Sequence, residues 1–241
     1  MMGWPQWTLL FLLLVSLLLA ANQHGKPQGK TSFPARLVAF LIQISLLWAG
    51  GFFQPAHAQV PPEASRYRLQ LLRAAHGQWG LDAPVAALAA QVHQESAWRP
   101  DAVSRAGARG LAQFMPATST WWCQRTGTAP ADCLPHNPAW ALRAMVGYDK
   151  FLHDRVPARF GAFDRLWLAL RGYNGGEAHW RAEGATTGLQ EPTRTQIDAA
   201  CGQARRAALH CRENLQYPAR ILQQLQPRYA TWGPMVTEAA R

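Results

Sequence analysis

The chain has 241 residues, 49% of them hydrophobic, with 24 Lys and Arg against 14 Asp and Glu, for a formal net charge of +10. Its basic residues are scattered and form no recognisable nucleic-acid motif, so nucleic acid is not the expected partner. An anionic cell envelope accounts for the positive charge equally well.

The N-terminal region differs from the rest of the chain in composition. Residues 7–21 and 37–53 are two apolar runs, and no acidic residue precedes Glu63. The segment between the runs carries only basic charges, at Lys26, Lys30 and Arg36. Ala56-His57-Ala58 is a small-x-small sequence of the kind that signal peptidase cleaves.

Residues 1–58 therefore have two interpretations, a signal peptide or a retained membrane anchor. A hairpin of two spans would place the three basic residues on the cytoplasmic side and associate residues 7–53 with the inner membrane. Both apolar runs are short for full spans. In either case we expect the remainder to be exported to the periplasm or cell envelope.

The rest of the chain is predicted to be a short spacer, residues 59–65, followed by one domain, residues 66–241, long enough to form its own core. Helical patterns dominate, and no alternating strand pattern is convincing. The helices are predicted over residues 65–78, 83–98, 117–125, 138–155, 163–172, 194–209 and 217–229. A short irregular or β element is expected in the loop of residues 99–115. The fold class is mainly α.

One glutamate in the helix over 83–98 has an unusual position. Asp82 is a candidate N-cap for this helix, and Pro84 falls in its first turn. Its apolar stripe consists of Val85, Leu88, Ala89 and Val92. Glu95 lies on the same stripe, where apolar neighbours would raise its pKa. A carboxylic acid that keeps its proton near neutral pH can cleave a glycosidic bond. The alternative is a helix-end side chain that turns to solvent.

Three sequence blocks surround or follow Glu95. The first, residues 94–118, reads QESAWRPDAVSRAGARGLAQFMPAT. The second, residues 172–176, reads GYNGG, and the third, residues 213–217, reads ENLQY. Tyrosine faces and amide groups of this kind suit a carbohydrate, because sugar C–H groups stack on aromatic rings and hydroxyls bond to amides.

In order and spacing, these blocks resemble the signature of the soluble-type lytic transglycosylases of the lysozyme-like superfamily, over residues 67–229. The chain departs from the family pattern at Gly172, Asn214 and Pro218. The resemblance implies a lysozyme-like fold and cleavage of the β-1,4 bond between N-acetylmuramic acid and N-acetylglucosamine in peptidoglycan glycan strands. It also implies 1,6-anhydromuramyl products, Glu95 as the single general acid and base, and no metal or other cofactor.

The expected substrate-binding residues are Ser96, Ser104, Gln113, Met115, Tyr173, Asn174 and Tyr217. Among them, Ser96 and Gln113 are expected to orient Glu95 and the substrate, and Met115 and the tyrosines to line the groove. Asp101 is the obvious second carboxylate of this region, and a role in a turn or a cap suits it better than catalysis.

The four cysteines form two pairs of equal spacing, Cys123 with Cys133 and Cys201 with Cys211. An even number of cysteines in an exported domain indicates disulfides, and of the three possible connectivities the spacing favours the sequential one. A zinc site is a weaker interpretation of these cysteines than disulfides, because cysteine and histidine clusters at ligand spacing are absent from the sequence.

Two other functions remain compatible with these residues. A hydrolytic muramidase or endolysin could use the same scaffold and the same glutamate. A wall-binding accessory component of a secretion or conjugation apparatus could bind glycan without turnover.

Overall fold

The computed structural model of the chain describes residues 60–238, together with the single positions Phe11, Ile42 and Ser45. The predictions for residues 1–58, including both apolar runs and the cleavage sequence, lie outside the described residues. Among the residues described, no helix combines the length and the apolar character needed to cross a membrane.

Residues 60–238 form a mainly helical domain, as predicted. Its α-helices are α1 (Pro62–Ser65), α2 (Arg68–Trp79), α3 (Val85–Ser96), α4 (Pro116–Arg125), α5 (Pro138–Arg155), α6 (Ala162–Gly175), α7 (Glu177–Thr186), α8 (Arg194–Ala199) and α9 (Cys211–Ala219). A π-helix (Arg220–Leu225) and a 3₁₀ segment (Gln226–Trp232) continue from α9. Within this part of the chain, β structure is limited to isolated bridges of Arg109 with Val103 and Phe114.

Helix α3 lies at the centre of the domain. Every residue from Val85 to Val92 is buried, so the helix has no solvent face over its first two turns. Four of these residues are alanines, whose small side chains let neighbouring elements approach closely. The helix packs against α2, the π-helix and the C-terminal 3₁₀ segment. Asp82 does not cap it, contrary to prediction: the N-cap position is Pro84, without a side-chain cap.

Helix α3 ends two residues earlier than predicted. Ala97 and Trp98 adopt left-handed φ angles of 51° and 66°, which a continuing helix cannot accommodate. Burial of the Trp98 ring explains how the chain keeps this conformation. The indole N–H donates a 2.7 Å hydrogen bond to the Tyr229 hydroxyl, and the ring packs on Tyr67 and Trp232. Trp98 thus anchors the chain as it leaves the central helix.

Helices α5 and α6 form the layer beside α2. Asn137 caps α5 by accepting a 3.1 Å hydrogen bond from the Trp140 N–H, and α5 packs on both α2 and α6. Helix α6 extends to Gly175, beyond the predicted end at residue 172. Tyr173 and Asn174 therefore lie in its last turn, which fixes the direction of their side chains.

Several helices of the C-terminal third differ from the ranges predicted from the sequence. Helix α7 was not predicted, and the helix predicted over 194–209 ends at Ala199. The helix predicted over 217–229 begins earlier, at Cys211, and changes to π geometry after Pro218, whose ring lacks the N–H that a regular α-helix requires. These differences arise from tertiary packing, which local helix propensity does not record.

Both predicted disulfides are present. Cys123 pairs with Cys133, joining α4 to the segment that precedes α5. Cys201 pairs with Cys211 and closes the loop between α8 and α9. The sequential connectivity is confirmed.

The loop of residues 99–115 depends on a glycine at a close backbone approach. Gly110 has φ of +75°, and its N–H donates a 2.9 Å hydrogen bond to the Ala102 carbonyl oxygen. A Cβ atom at this position would overlap the carbonyl oxygen of Pro135. Gly107, in the same loop, has φ of +87° but faces open space.

We expect Gly110→Ala to lower the free energy of unfolding by about 3 kcal/mol or more, because it adds a backbone clash to the strain of a positive φ. Gly107→Ala is the matched control and should cost about 1 kcal/mol, from φ strain alone. Urea denaturation at neutral pH measures both values. Equal losses in the two variants would show that the contact with Pro135 is not a constraint.

Candidate active site

A cavity of about 400 Å³ opens between the loop of residues 99–115 and helices α5, α6 and α9. Its lining combines aromatic rings, amides and carboxylates, a composition suited to carbohydrate. The lining residues are Glu95, Ser104, Ala106, Ala108, Gln113, Phe114, Met115, Thr118, Tyr148, Tyr173, Asn174 and Glu213. We call this cavity the cleft.

Glu95 lies in the last turn of α3, with its side chain partly exposed to the cleft. The Tyr217 hydroxyl donates a hydrogen bond to its Oε1 atom. Burial raises the pKa of Glu95 from 4.5 to about 7, and the Tyr217 hydrogen bond opposes this rise by stabilising the carboxylate. The carboxyl group can therefore hold and release a proton near neutral pH.

A second carboxyl group, Asp149 of α5, is buried in the core and was not singled out from the sequence. Gln91 donates a 3.1 Å hydrogen bond to its Oδ1 atom. Burial raises the pKa of Asp149 well above its usual value, and the nearby charge of Glu95 raises it further, whereas the Gln91 hydrogen bond lowers it. The two carboxyl groups are therefore coupled, because a charge on Glu95 disfavours a charge on Asp149.

The loop of residues 99–115 supplies one wall of the cleft. Gln113, with φ of 48°, donates hydrogen bonds from Nε2 to the carbonyl oxygens of Ala102 and Gly110, at 3.2 and 2.9 Å. Ser104 accepts a 3.0 Å hydrogen bond from the Ala108 N–H. Loop contacts thus fix both side chains at the cleft. Met115 follows with 41% of its surface exposed, which leaves its thioether open to a ligand.

Three tyrosines lie in or behind the cleft and have different roles. Tyr173 lines the cleft, and its hydroxyl donates a 2.7 Å hydrogen bond to the Ala112 carbonyl oxygen, holding the loop against α6. Tyr148, which the sequence analysis missed, lines the cleft beside it, with ring centroids 5.4 Å apart. Tyr217 is buried and reaches Glu95 from behind rather than lining the cleft. Burial raises the pKa of all three, so they remain neutral donors.

Ser96 does not line the cleft, contrary to the expectation that it orients the substrate. Its side chain is buried, and Oγ donates a 2.9 Å hydrogen bond to the Leu111 carbonyl oxygen. Ser96 therefore ties the end of α3 to the loop and positions Glu95 only through the backbone.

Asn174 forms part of the opposite wall and is held by a buried polar network. Its Oδ1 accepts a 3.0 Å hydrogen bond from Asn214, whose own Oδ1 accepts one of 2.9 Å from the Arg171 Nε. Arg171 is fully buried and forms ion pairs with Glu183 at 2.5 Å and Asp198 at 2.8 Å. The network connects a cleft residue to charges deep in the domain.

Gly175 lets this network approach helix α6. A Cβ atom at residue 175 would collide with the guanidinium of Arg206 and the amide of Asn214. Arg206 in turn forms a 3.0 Å ion pair with Glu183. The glycine of the second sequence block is thus required by packing, and its φ is not left-handed.

Comparison with known proteins identifies the family. Residues 70–196, more than half of the chain, match the family described as "Transglycosylase SLT domain". The chain belongs to this family. The SLT domain resembles membrane-bound lytic murein transglycosylase F of Alteromonas mediterranea and of Maricaulis maris, with 38% and 39% identity over 92 residues. Each match covers 38% of this chain and 18% of the relative, so the chain spans only a small part of those proteins.

Solved structures share the fold of this SLT domain. The 70 kDa soluble lytic transglycosylase of Escherichia coli aligns with a TM-score of 0.52 and 19% identity over 80% of this chain and 28% of its own. The complex of the 70 kDa soluble lytic transglycosylase with bulgecin A aligns with a TM-score of 0.55 and 19% identity, over 85% and 30% of the two chains. The lysozyme-like fold class is confirmed.

Two other acidic residues of the three sequence blocks have different positions relative to the cleft. Glu213 lines it, although the sequence analysis gave this residue no role. Asp101 is exposed and does not line it.

Within residues 60–238, the one group of potential metal ligands is Glu183 with Cys201 and Cys211, whose sulfurs form a disulfide and are not thiolates.

We expect Glu95→Gln to stabilise the domain at alkaline pH. The raised pKa of Glu95 means that its contribution to stability is complete below pH 4.5 and is lost as the pH rises through about 7. Glutamine removes this loss, so the variant should exceed the wild type by about 3 kcal/mol at pH 8 and match it at pH 4. Urea denaturation at both pH values measures the difference, and an equal difference at the two pH values would contradict the raised pKa of Glu95.

We expect Tyr217→Phe to raise the pKa of Glu95 above about 7, because the hydroxyl stabilises the carboxylate form. Carbon-detected NMR titration of the Glu95 carboxyl group measures this pKa directly. Tyr173→Phe is the matched control, since the Tyr173 hydroxyl bonds to the Ala112 carbonyl oxygen instead. A lower pKa in Tyr217→Phe would contradict the assigned hydrogen bond.

Proposed function

We propose that the chain is a peptidoglycan lytic transglycosylase that cleaves the β-1,4 bond between N-acetylmuramic acid and N-acetylglucosamine. The observation that carries this proposal is Glu95, a carboxyl group with a pKa of about 7 facing a sugar-compatible cleft in an SLT domain. The curated relatives are named lytic murein transglycosylases, which supports the same activity.

The mechanism requires one residue that acts first as acid and then as base. Protonated Glu95 donates its proton to the glycosidic oxygen, and the bond from that oxygen to C1 of the muramic acid breaks. The resulting carboxylate is stabilised by the Tyr217 hydroxyl. It then takes the proton of the C6 hydroxyl as that oxygen bonds to C1, which closes the 1,6-anhydro ring and restores the acid. No water is consumed.

The other cleft residues hold the glycan in this proposal. Tyr148 and Met115 offer apolar surface to the sugar rings, and Gln113 and Asn174 offer amide groups to the hydroxyl and acetamido substituents. Ser104 completes the polar wall beside Gln113. Ser96 and Tyr217 act indirectly, through the loop and through Glu95.

The cellular setting follows from the same proposal. Peptidoglycan glycan strands are the partner, and the cell envelope is the location, as the membrane-bound relatives support. Residues 1–58 deliver the catalytic domain, residues 66–241, to the periplasm as a signal peptide or as an inner-membrane anchor. Residues 59–65 connect the two, and the last four of them form helix α1.

One observation favours a second candidate, a hydrolytic muramidase. Glu213 gives the cleft a second carboxylate, and most glycosidases use two, one of which activates water or attacks C1. The two candidates differ in product: hydrolysis leaves reducing muramic ends, whereas transglycosylation leaves anhydro ends that are lighter by one water.

We expect Glu95→Gln to lower the rate of sacculus digestion roughly 10³-fold, because the amide cannot exchange the required proton. Glu213→Gln should lower it less than about tenfold, since the C6 hydroxyl replaces a second carboxylate. Mass spectrometry of the wild-type digest should find anhydro ends. Reducing ends, with a large loss in Glu213→Gln, would establish the hydrolytic candidate instead.

Binding and turnover need separate measurement. A sacculus-binding assay should show that Glu95→Gln still binds. A wild-type protein that binds sacculi but releases no soluble fragments would reject both enzymatic candidates and leave the wall-binding accessory role.

A further inference from the structure

A second cavity, of about 460 Å³, adjoins the cleft and shares Asn174 and Glu213 with it. This volume is in the range of small-ligand sites. Its distinctive lining is basic and consists of Arg205, Arg206, His179 and His210. Glu213 is its one acidic lining residue, so the cavity is suited to an anion.

Arg206 is the buried basic residue of this cavity. The side chain is only 6% exposed, and its Nε donates to Glu183. Glu183 also pairs with Arg171, so its single negative charge is shared between two guanidinium groups. The Nη2 of Arg206 is buried and has no hydrogen-bond partner among the described residues, and the same holds for Nδ1 of His179. A buried donor without a partner is costly unless a ligand supplies an acceptor.

The position of the cavity is fixed by the Cys201–Cys211 loop. Arg205, Arg206 and His210 lie within this loop, after residue 196, where the match to the SLT family ends. Three of the four basic lining residues therefore come from a single loop that a disulfide closes. Asn174, which lines both cavities, lies between the cleft and the basic loop.

We propose that this cavity binds a carboxylate of the peptide carried by muramic acid, and so makes the enzyme selective for stem-bearing glycan. The inference rests on the proposed function, because it needs a muramic acid in the cleft. In this proposal, a peptide that branches from that sugar passes the shared wall of Asn174 and Glu213 and places a carboxylate in the adjoining cavity. Arginine and histidine donors recognise carboxylates through charge-assisted hydrogen bonds.

Binding measurements in the Glu95→Gln background test this directly, because that variant holds substrate without cutting it. The probes are two glycan tetrasaccharides of alternating N-acetylglucosamine and N-acetylmuramic acid, one with tripeptide stems and one without. We expect the stems to strengthen binding about tenfold, and the gain to vanish in Glu95→Gln/Arg205→Gln. Arg205 is exposed on the cavity wall, so its replacement should leave folding intact.

Arg212→Gln is the matched control, because it removes the same charge from a nearby exposed position that lines neither cavity. It should keep the tenfold gain. Arg205→Glu should reverse the gain, so that the stem-bearing probe binds more weakly than the bare one. Equal affinity of Glu95→Gln for both probes, or an equal loss for both in Arg205→Gln, would overturn the proposal.

Kinetics with the active enzyme separate this inference from the proposed function. Wild type should show a higher kcat/KM on stem-bearing chains than on chains stripped by an amidase, and Arg205→Gln should reduce that ratio about tenfold. An enzyme that cuts both chains equally well would refute only the stem site. An inactive wild type would refute the proposed function, and the binding measurements would still decide whether the cavity recognises stems.

Discussion

The hydrogen bond between Tyr217 and Glu95 is the contact on which the site depends. It joins residues 122 positions apart in sequence, so α9 must be held against the end of α3. The π-helix that follows α9 packs on α3, and Tyr229 and Trp232 close around Trp98 beyond it. The aromatic cluster thus keeps a weakly acidic carboxyl group and its one stabilising partner together in surroundings that otherwise favour the neutral form.

The opposite wall of the cleft is organised by charge instead of apolar packing. Arg171 is fully buried, and its cost of burial is offset by ion pairs with Glu183 and Asp198 and a hydrogen bond with Asn214. Asn214 in turn donates a hydrogen bond to Asn174 at the cleft surface and so holds that side chain in place. One wall is therefore fixed by hydrogen bonds within a loop, and the other by an ion-pair network that reaches through α6, α7, α8 and α9.

The sequence predicted the fold class, the central helix and the glutamate, because each leaves a local pattern: helical periodicity, an apolar stripe and a polar residue on that stripe. It placed Tyr217 in the groove and gave Ser96 a direct role in orienting the substrate, since a motif identifies residue types without the direction of their side chains. Tyr148, Asp149 and Arg171 left no local signal at all, because their roles arise from contacts with distant helices. The residues after Ala199 were predicted to be helical, but they form a loop. The disulfide that closes this loop is a tertiary constraint, which a local sequence pattern does not record.

The close packing of Gly175 against Arg206 and Asn214 has a consequence for how such sequences diverge. A side chain at 175 would displace the guanidinium of Arg206 and the amide of Asn214, so these positions are sterically coupled. Homologues that acquire a side chain at 175 should carry a shorter residue at 206, and would then lose the cationic group that now neighbours Asn174. In an alignment of such homologues, we therefore expect the residues at positions 175 and 206 to covary.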